Sequence, residues 1–244
     1  MNQLIHGDCL IEMKKIKSNS VDLVLTDPPY GTTCCKWDSI IDLDLMWQQL
    51  NRIIKPNGVI ALMAQTPFDK VLGASNLKML RYEWILEKPA ATGFFNAKKM
   101  PLKAHENILI FYKKLPTYNP QITEGHPRKT SGRIDVGSAV YGKAVKKTNY
   151  DSTSRYPRSV QKFSSDKQRL KLHPTQKPEK LMKYLISTYT NPGETVLDFA
   201  MGSGTCGAAA KRLNRKFIGI EIDEQYFISA EKRIGEIVSD GKLN

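Results

Sequence analysis

Two short stretches carry residue types that could do chemistry together. The first is Thr26-Asp27-Pro28-Pro29-Tyr30-Gly31, which follows the apolar run Val21–Leu25. Consecutive prolines fix φ twice and remove two N–H donors, so Pro28 and Pro29 make a stiff loop with carbonyl oxygens facing outward. The Asp27 carboxylate beside the Pro28 carbonyl offers two acceptors, matching the two hydrogens of an amino group. Tyr30 adds a flat face on which a base can stack. An exocyclic amino nitrogen is conjugated with its ring and is a poor nucleophile. Acceptors on both N–H bonds favour a geometry in which its lone pair leaves the ring plane and can attack an electrophilic methyl.

The second stretch is Asp198-Phe199-Ala200-Met201-Gly202-Ser203-Gly204-Thr205, between the apolar run Thr195–Leu197 and a helical pattern. Glycines there let a ligand approach the backbone at a helix N-terminus. Glu221 ends the next apolar run, where a carboxylate can accept both hydroxyls of a ribose. Gly202–Gly207 also reads as G-x-G-x-x-G, and with an acid some twenty residues on this is a dinucleotide fingerprint. The glycine loop alone therefore leaves a nicotinamide cofactor open. Asp198 suits the α-amino group of an amino-acid-like ligand better than a pyrophosphate, and the Asp27 loop has no place in hydride transfer.

These loops need strands to carry them. Gln3–His6, Val21–Leu25, Val59–Ala64, Arg81–Glu87, Asn107–Tyr112, Thr195–Leu197 and Lys216–Ile220 read as strands. Cys9–Ile16, Ile40–Lys55, Pro67–Leu77, Glu179–Thr190, Thr205–Leu213 and Glu224–Val238 read as helices. The alternation predicts a doubly wound, mainly parallel α/β sheet, whose ligands bind outside the carboxyl ends of the strands. The rhythm fails over Lys113–Leu172, where no element is assignable. That stretch holds 14 Lys+Arg against 4 Asp+Glu, or +10 of the chain's net +13. A basic module on a nearly neutral body points to a polyanion. The division expected is 1–112, 113–172 and 173–244, the outer two being halves of one domain.

The 244 residues, 41% hydrophobic, suffice for one sizeable core with an insertion. No apolar run would span a bilayer and the N-terminus lacks a signal-peptide core, so the expected location is the cytoplasm, associated with the nucleoid in a bacterium. Cys9, Cys34, Cys35 and Cys206 include no CxxC pair, and no structural metal is expected.

The chain resembles the amino-methyltransferases of DNA, in the subgroup whose Asp-Pro-Pro-Tyr motif precedes its Phe-x-Gly-x-Gly motif. Here Asp27-Pro28-Pro29-Tyr30 matches the catalytic motif, and Phe199-Ala200-Met201-Gly202-Ser203-Gly204 resembles the cofactor motif with one residue more between Phe and the first Gly. Gly7-Asp8-Cys9 resembles the segment that contacts the cofactor adenine. His173-Pro174-Thr175-Gln176-Lys177-Pro178 resembles the segment near the methionine carboxylate, and Gly219-Ile220-Glu221 the ribose-binding strand end. The resemblance runs from Gly7 to Asp223. It implies a circularly permuted S-adenosylmethionine methyltransferase fold, with the strand before Asp198 beside the strand before Asp27, and helix Glu224–Val238 packed toward Gln3–His6. It assigns catalysis to Asp27, Pro28, Pro29 and Tyr30, with S-adenosyl-L-methionine as cofactor. Cofactor contacts fall to Asp8, Cys9, Asp198, Phe199, Gly202, Gly204, Thr205 and Glu221, joined by Thr175, Gln176 and Lys177.

The basic stretch lies where the family keeps its target-recognition region. Arg128, Arg133, Arg155 and Arg158 are candidate phosphate or guanine contacts. Trp37 is a candidate wall of a base pocket or a core residue. Phe94-Phe95 either approaches DNA or packs in its loop. His105-Glu106 receives no role, and His6 and His126 read as structural or exposed. The implied reaction methylates duplex DNA by base flipping. In the family it resembles, Asp rather than Ser before Pro-Pro-Tyr goes with adenine N6 over cytosine N4. An RNA base as target and an inactive DNA-binding relative are the alternatives. Oligomeric state, a homodimer included, and a restriction endonuclease partner are left open.

Overall fold

The computed structural model describes residues 2–31, 40–134, 147–164 and 177–237. They form two compact units, residues 1–119 with 159–244, and Pro120–Arg158.

The first unit is built on one eight-stranded sheet. Its strands, in chain order, are β1 (Gln3–His6), β2 (Val21–Thr26), β3 (Ile54–Ala64), β4 (Leu80–Thr92) and β5 (Lys103–Phe111). The second unit holds β6 (Lys129–Ile134) and β7 (Lys147–Ser152), and β8 (Val160–Lys162), β9 (Thr195–Asp198) and β10 (Lys216–Glu221) return to the sheet. The spatial order is β1-β10-β9-β2-β3-β5-β4-β8. The first five are mutually parallel, β5 runs antiparallel to both β3 and β4, and β8 joins β4 in parallel. The strand before Asp198 thus lies beside the strand before Asp27, with Leu23 opposite Val196 and Val24 opposite Leu197. The expected permuted, mainly parallel sheet is what forms.

Strand residues alternate between two cores, as a period of two requires. Leu23, Leu25, Ala61, Met63, Ile108, Ile110, Val196 and Phe217 face one layer, made by helices α4 (Glu179–Tyr189), α5 (Thr205–Arg212) and α6 (Glu224–Glu236). Val24, Ile60, Leu62, Leu109, Phe111, Leu197 and Ile220 face the other, made by α1 (Cys9–Glu12), α2 (Leu43–Ile53) and α3 (Phe68–Ala74). Each half of the chain therefore supplies one helical layer, and the halves meet across the sheet. The His6 ring lies 5.4 Å from that of Phe227, where α6 packs toward β1.

Local chemistry sets the helix starts. The Asp42 carboxylate accepts from Leu45 N–H, so α2 begins at Leu43 rather than Ile40. Asp223 likewise caps α6, accepting from Gln225 and Tyr226 N–H. Pro56-Asn57-Gly58 lies within β3, where the register to β2 shifts between Val21 and Leu23, instead of ending a helix. β4 and β5 are longer than the apolar runs that announced them, because their outer ends pair in solvent.

The second unit is narrower than the basic stretch. Lys113 donates to the Asn51 carbonyl at 2.8 Å and Asn119 to carbonyls ending α4, so residues 113–119 stay with the sheet unit. Polar side chains that find helix-end carbonyls leave no mark in composition. Within the second unit β6 and β7 pair antiparallel, from Lys129 opposite Ser152 to Ile134 opposite Lys147. No described helix is long and apolar enough to cross a membrane.

Candidate active site

Four adjoining parallel strands, β1, β10, β9 and β2, end at one edge of the sheet. Their carboxyl ends lead into Gly7-Asp8, Glu221, Asp198 and Asp27. Topology thus gathers residues from opposite ends of the chain, Asp8 and Asp27 with Asp198 and Glu221.

Asp27 leaves β2 with both carboxylate oxygens engaged. The Tyr30 hydroxyl donates to Oδ1, and Lys177 Nζ donates to Oδ2 at 2.5 Å. Lys177 also lies 3.1 Å from Glu106 Oε2, and Lys88 lies 2.7 Å from Glu106 Oε1. Two carboxylates and two ammonium groups so form one largely buried chain. Burial alone would lower the Lys177 pKa, but the charges of Asp27 and Glu106 outweigh it and hold it above the usual 10.5. Burial alone would likewise raise Glu106, and Lys177 and Lys88 pull it below 4.5. The network keeps Asp27 oriented beside a fixed cation. The Tyr30 ring stacks on Phe68, centroids 5.5 Å apart, with Lys177 Nζ 5.9 Å from its centroid. Phe68, in the first turn of α3, supports the aromatic platform.

At the β9 end, Asp198 is buried and its pKa rises from 3.8 to about 8. Burial is the main cause, the neighbouring Asp27 and Glu221 charges add to it, and hydrogen bonds from Ala200 N–H and Thr26 oppose it. No basic side chain is paired with it among the described residues. A buried carboxyl in this state is a seat for a cation, which fits the α-ammonium of an amino acid. Gly202 and Gly204 take φ of +50° and +73°. Gly202 N–H donates to Glu221 Oε2 at 2.8 Å and Asp223 N–H to Oε1 at 2.9 Å. Each oxygen retains a further lone pair, enough to accept two ribose hydroxyls. This donor set fits an amino-acid-bearing nucleoside.

The other anticipated residues fall as follows. Phe199 is buried under the loop, in the α1–α3 core. The Thr205 hydroxyl accepts from Arg233 at 2.9 Å, and Glu179 binds Arg212 and Arg233 at 2.9 and 3.4 Å, so Thr205 ties the loop to the helices behind it. Asp8 caps α1, its Oδ1 accepting from Leu10 and Ile11 N–H at 2.8 and 3.2 Å. Burial, then the Asp8 charge, pushes the Cys9 thiol up to about 12, leaving it neutral. Pro28 and Pro29 form the connection from Asp27 to Tyr30. Thr175, Gln176 and Trp37 lie outside the described residues.

In the second unit, Arg128 is exposed and forks onto Asp151, at 2.8 and 2.6 Å. Arg158 is exposed at the unit's end. Arg133 stands on β6 opposite Thr148, and its side chain lies outside what is described. Arg155 is engaged within the unit. Its guanidinium donates to the Ser152, Ser154 and Pro127 carbonyls at 2.9, 2.7 and 2.5 Å and to the Tyr150 hydroxyl at 3.2 Å, which makes it the internal brace of the unit.

Glu106, Lys88 and Phe68 were not legible as site residues. One signal for Glu106 was a charge directly before the buried run Asn107–Phe111. Its partners Lys88 and Lys177 are far away in sequence.

An open α/β sheet that brings the Asp27 loop and the Asp198–Glu221 loop to adjacent strand ends fits a class, the α/β group-transfer enzymes. A family model described as DNA methylase matches residues 21–232, and the chain belongs to that N6/N4 methylase family. It is 31% identical over 251 residues to the DNA adenine methyltransferase YhdJ of Escherichia coli K12, covering 95% of this chain and 82% of that one. With the type II methyltransferase M.HpaI of Haemophilus parainfluenzae it shares 30% identity over 95% of this chain and 74% of that one. The solved complex of M1.HpyAVI with SAM superposes with a TM-score of 0.65 at 26% identity, over 96% and 99% of the two chains. The cytosine-N4-specific PvuII methyltransferase shares the fold, with a TM-score of 0.67 at 17% identity over 98% and 87%. The chain is thus a DNA methyltransferase whose cofactor is S-adenosylmethionine.

Proposed function

We propose that this enzyme methylates N6 of an adenine flipped out of duplex DNA at a specific sequence. The observation that carries this reading is the Asp27 carboxylate, held by Lys177 and Tyr30 on β2, beside the Asp198 loop on β9. Asp27 and the Pro28 carbonyl accept the two amino N–H bonds, and Tyr30 stacks the base. The nitrogen lone pair is turned out of conjugation and forms the new N–C bond as the carbon–sulfur bond to the methyl group breaks, its electron pair staying on the sulfur, which would leave as a neutral thioether, and the nitrogen then releases one proton to solvent. Because Tyr30 and Lys177 already occupy the Asp27 oxygens, the incoming amino group shares them or displaces one donor. Asp198 holds the α-ammonium of the cofactor, Glu221 its ribose, and the Gly202–Gly204 backbone gives close approach. When bound, the cofactor supplies an electrophilic methyl group.

Adenine is favoured by the Asp that opens Asp27-Pro28-Pro29-Tyr30 and by the adenine activity in the name of YhdJ. The test is to incubate the protein with duplex DNA and S-adenosylmethionine, digest the DNA and identify nucleosides by mass spectrometry. N6-methyladenine is the expected product. N4-methylcytosine would keep the mechanism and overturn the base. No modified DNA nucleoside would remove DNA as the substrate and make RNA the next to try.

A further inference from the structure

The β4–β5 hairpin extends far beyond the core. From Pro89 to His105 every residue is exposed. The regular ladder ends at Glu87 opposite His105, the register slips, and Thr92 then pairs with Lys103. Gly93, at φ +90°, turns the chain into a short 3-10 segment, Phe94–Asn96. Phe94 is 81% exposed and Phe95 fully so, with Met100 also in solvent. Lys98, Lys99 and Lys103 lie in the same arm, which contains no Asp or Glu.

Two adjacent rings in water are costly unless something covers them. The root of the arm indicates what does. Lys88 and Glu106, where the exposed arm begins, are the outer members of the ion chain that ends on Asp27. Between Lys88 and Phe94 the chain spans at most about 20 Å, six steps of about 3.3 Å. The rings therefore lie within that reach of the ion chain that ends on Asp27, on an arm that carries lysines and no acidic residue. That chemistry matches a duplex opened at one base, with a phosphate backbone for the lysines and an unstacked gap for an aromatic wedge.

We propose that Phe94 and Phe95 form a wedge that enters the duplex at the target and fills the stack the flipped base leaves. This rests on the reading of the chain as a base-flipping enzyme. The arm then acts on the cost of extrusion, since aromatic side chains replace lost base stacking. A second copy of the chain would bring a second cationic arm, and nothing in the arm would neutralise it.

The test compares wild type with the double variant Phe94→Ala/Phe95→Ala on native and heat-denatured fragments of one unmethylated DNA. Methylation of native DNA should fall about tenfold or more, against a change within about twofold on denatured DNA, whose bases need no extrusion. Equal loss on both, or no loss on either, overturns the wedge. Relaxing a closed plasmid with topoisomerase in the presence of protein gives a readout independent of turnover. Wild type should shift the linking number and the variant should not, and identical shifts overturn the proposal. If wild type methylates no DNA, the base-flipping reading fails while the plasmid comparison still judges the wedge. Binding of mixed anionic and zwitterionic phospholipid vesicles that requires Phe94 and Phe95, with no effect of the rings on DNA, would assign the arm to a membrane surface and overturn the proposal.

Discussion

At the residue scale the decisive groups are carboxyls in opposite electrical surroundings. Asp27 sits beside the Lys177 ammonium, whereas Asp198 is buried without a cation partner among the described residues. Asp27→Ala removes the acceptor without touching the glycine cradle. Its turnover should fall about 10²–10³-fold, the cost of losing one pre-set electrostatic partner, while calorimetric cofactor affinity stays nearly constant. Retained turnover would remove Asp27 from catalysis. Asp198 makes a separate prediction. Its pKa is raised from 3.8 to about 8, so between those values the folded protein binds more protons than the unfolded chain. Stability from this group is therefore complete at low pH and declines as pH rises through that window. Asp198→Asn should abolish that decline, raising Tm by several degrees at pH 8 relative to wild type with little change at pH 4, and should weaken the cofactor. A Tm difference that does not depend on pH would contradict the assignment.

At the element scale, the cofactor loop depends on how closely α5 approaches its neighbours. A Cβ on Gly207 would lie 2.6 Å from Phe217 Cε1 and would also clash with the Ile234 side chain. Gly207→Ala should overpack that contact and cost about 1–3 kcal/mol in denaturant unfolding. Gly235, on α6, has nothing within 4 Å of a built Cβ, so Gly235→Ala should be neutral or stabilising by up to about 1 kcal/mol. Equal effects at the two positions would mean that packing does not constrain α5. Periodicity marks every α-helix and strand of the sheet unit except β8, but it makes α3 too long and β4 and β5 too short. A three-residue strand such as Val160–Lys162 has too few residues to show a period, and only its pairing with Ile85–Glu87 identifies it.

For the whole molecule the question is where the charge acts. The stretch 113–172 carries +10, yet the compact second unit spans only Pro120–Arg158, and Arg155 is used inside it. Six phosphate contacts would make duplex affinity fall by about 10³-fold between roughly 50 and 200 mM salt. Fluorescence anisotropy on a duplex across that range checks this, and a flat response would mean that the basic surface is not the DNA footprint.

The sequence alone determined the parts that depend on local rules. Motif order, the paired prolines, the glycine loop and the alternation of apolar runs identified the fold and singled out Asp8, Asp27, Asp198 and Glu221 as candidates, because each is encoded within a few neighbouring positions. It could not identify what depends on distant partners. Glu106 and Lys88 enter the site because antiparallel β4 and β5 bring them to Lys177, and Phe68 enters because the first turn of α3 meets Tyr30. The four acceptors of Arg155 within the second unit are likewise supplied only by the fold. The pKa of Asp198 follows the same logic, for a carboxyl rises above its ordinary range when folding removes water and brings no cation in exchange.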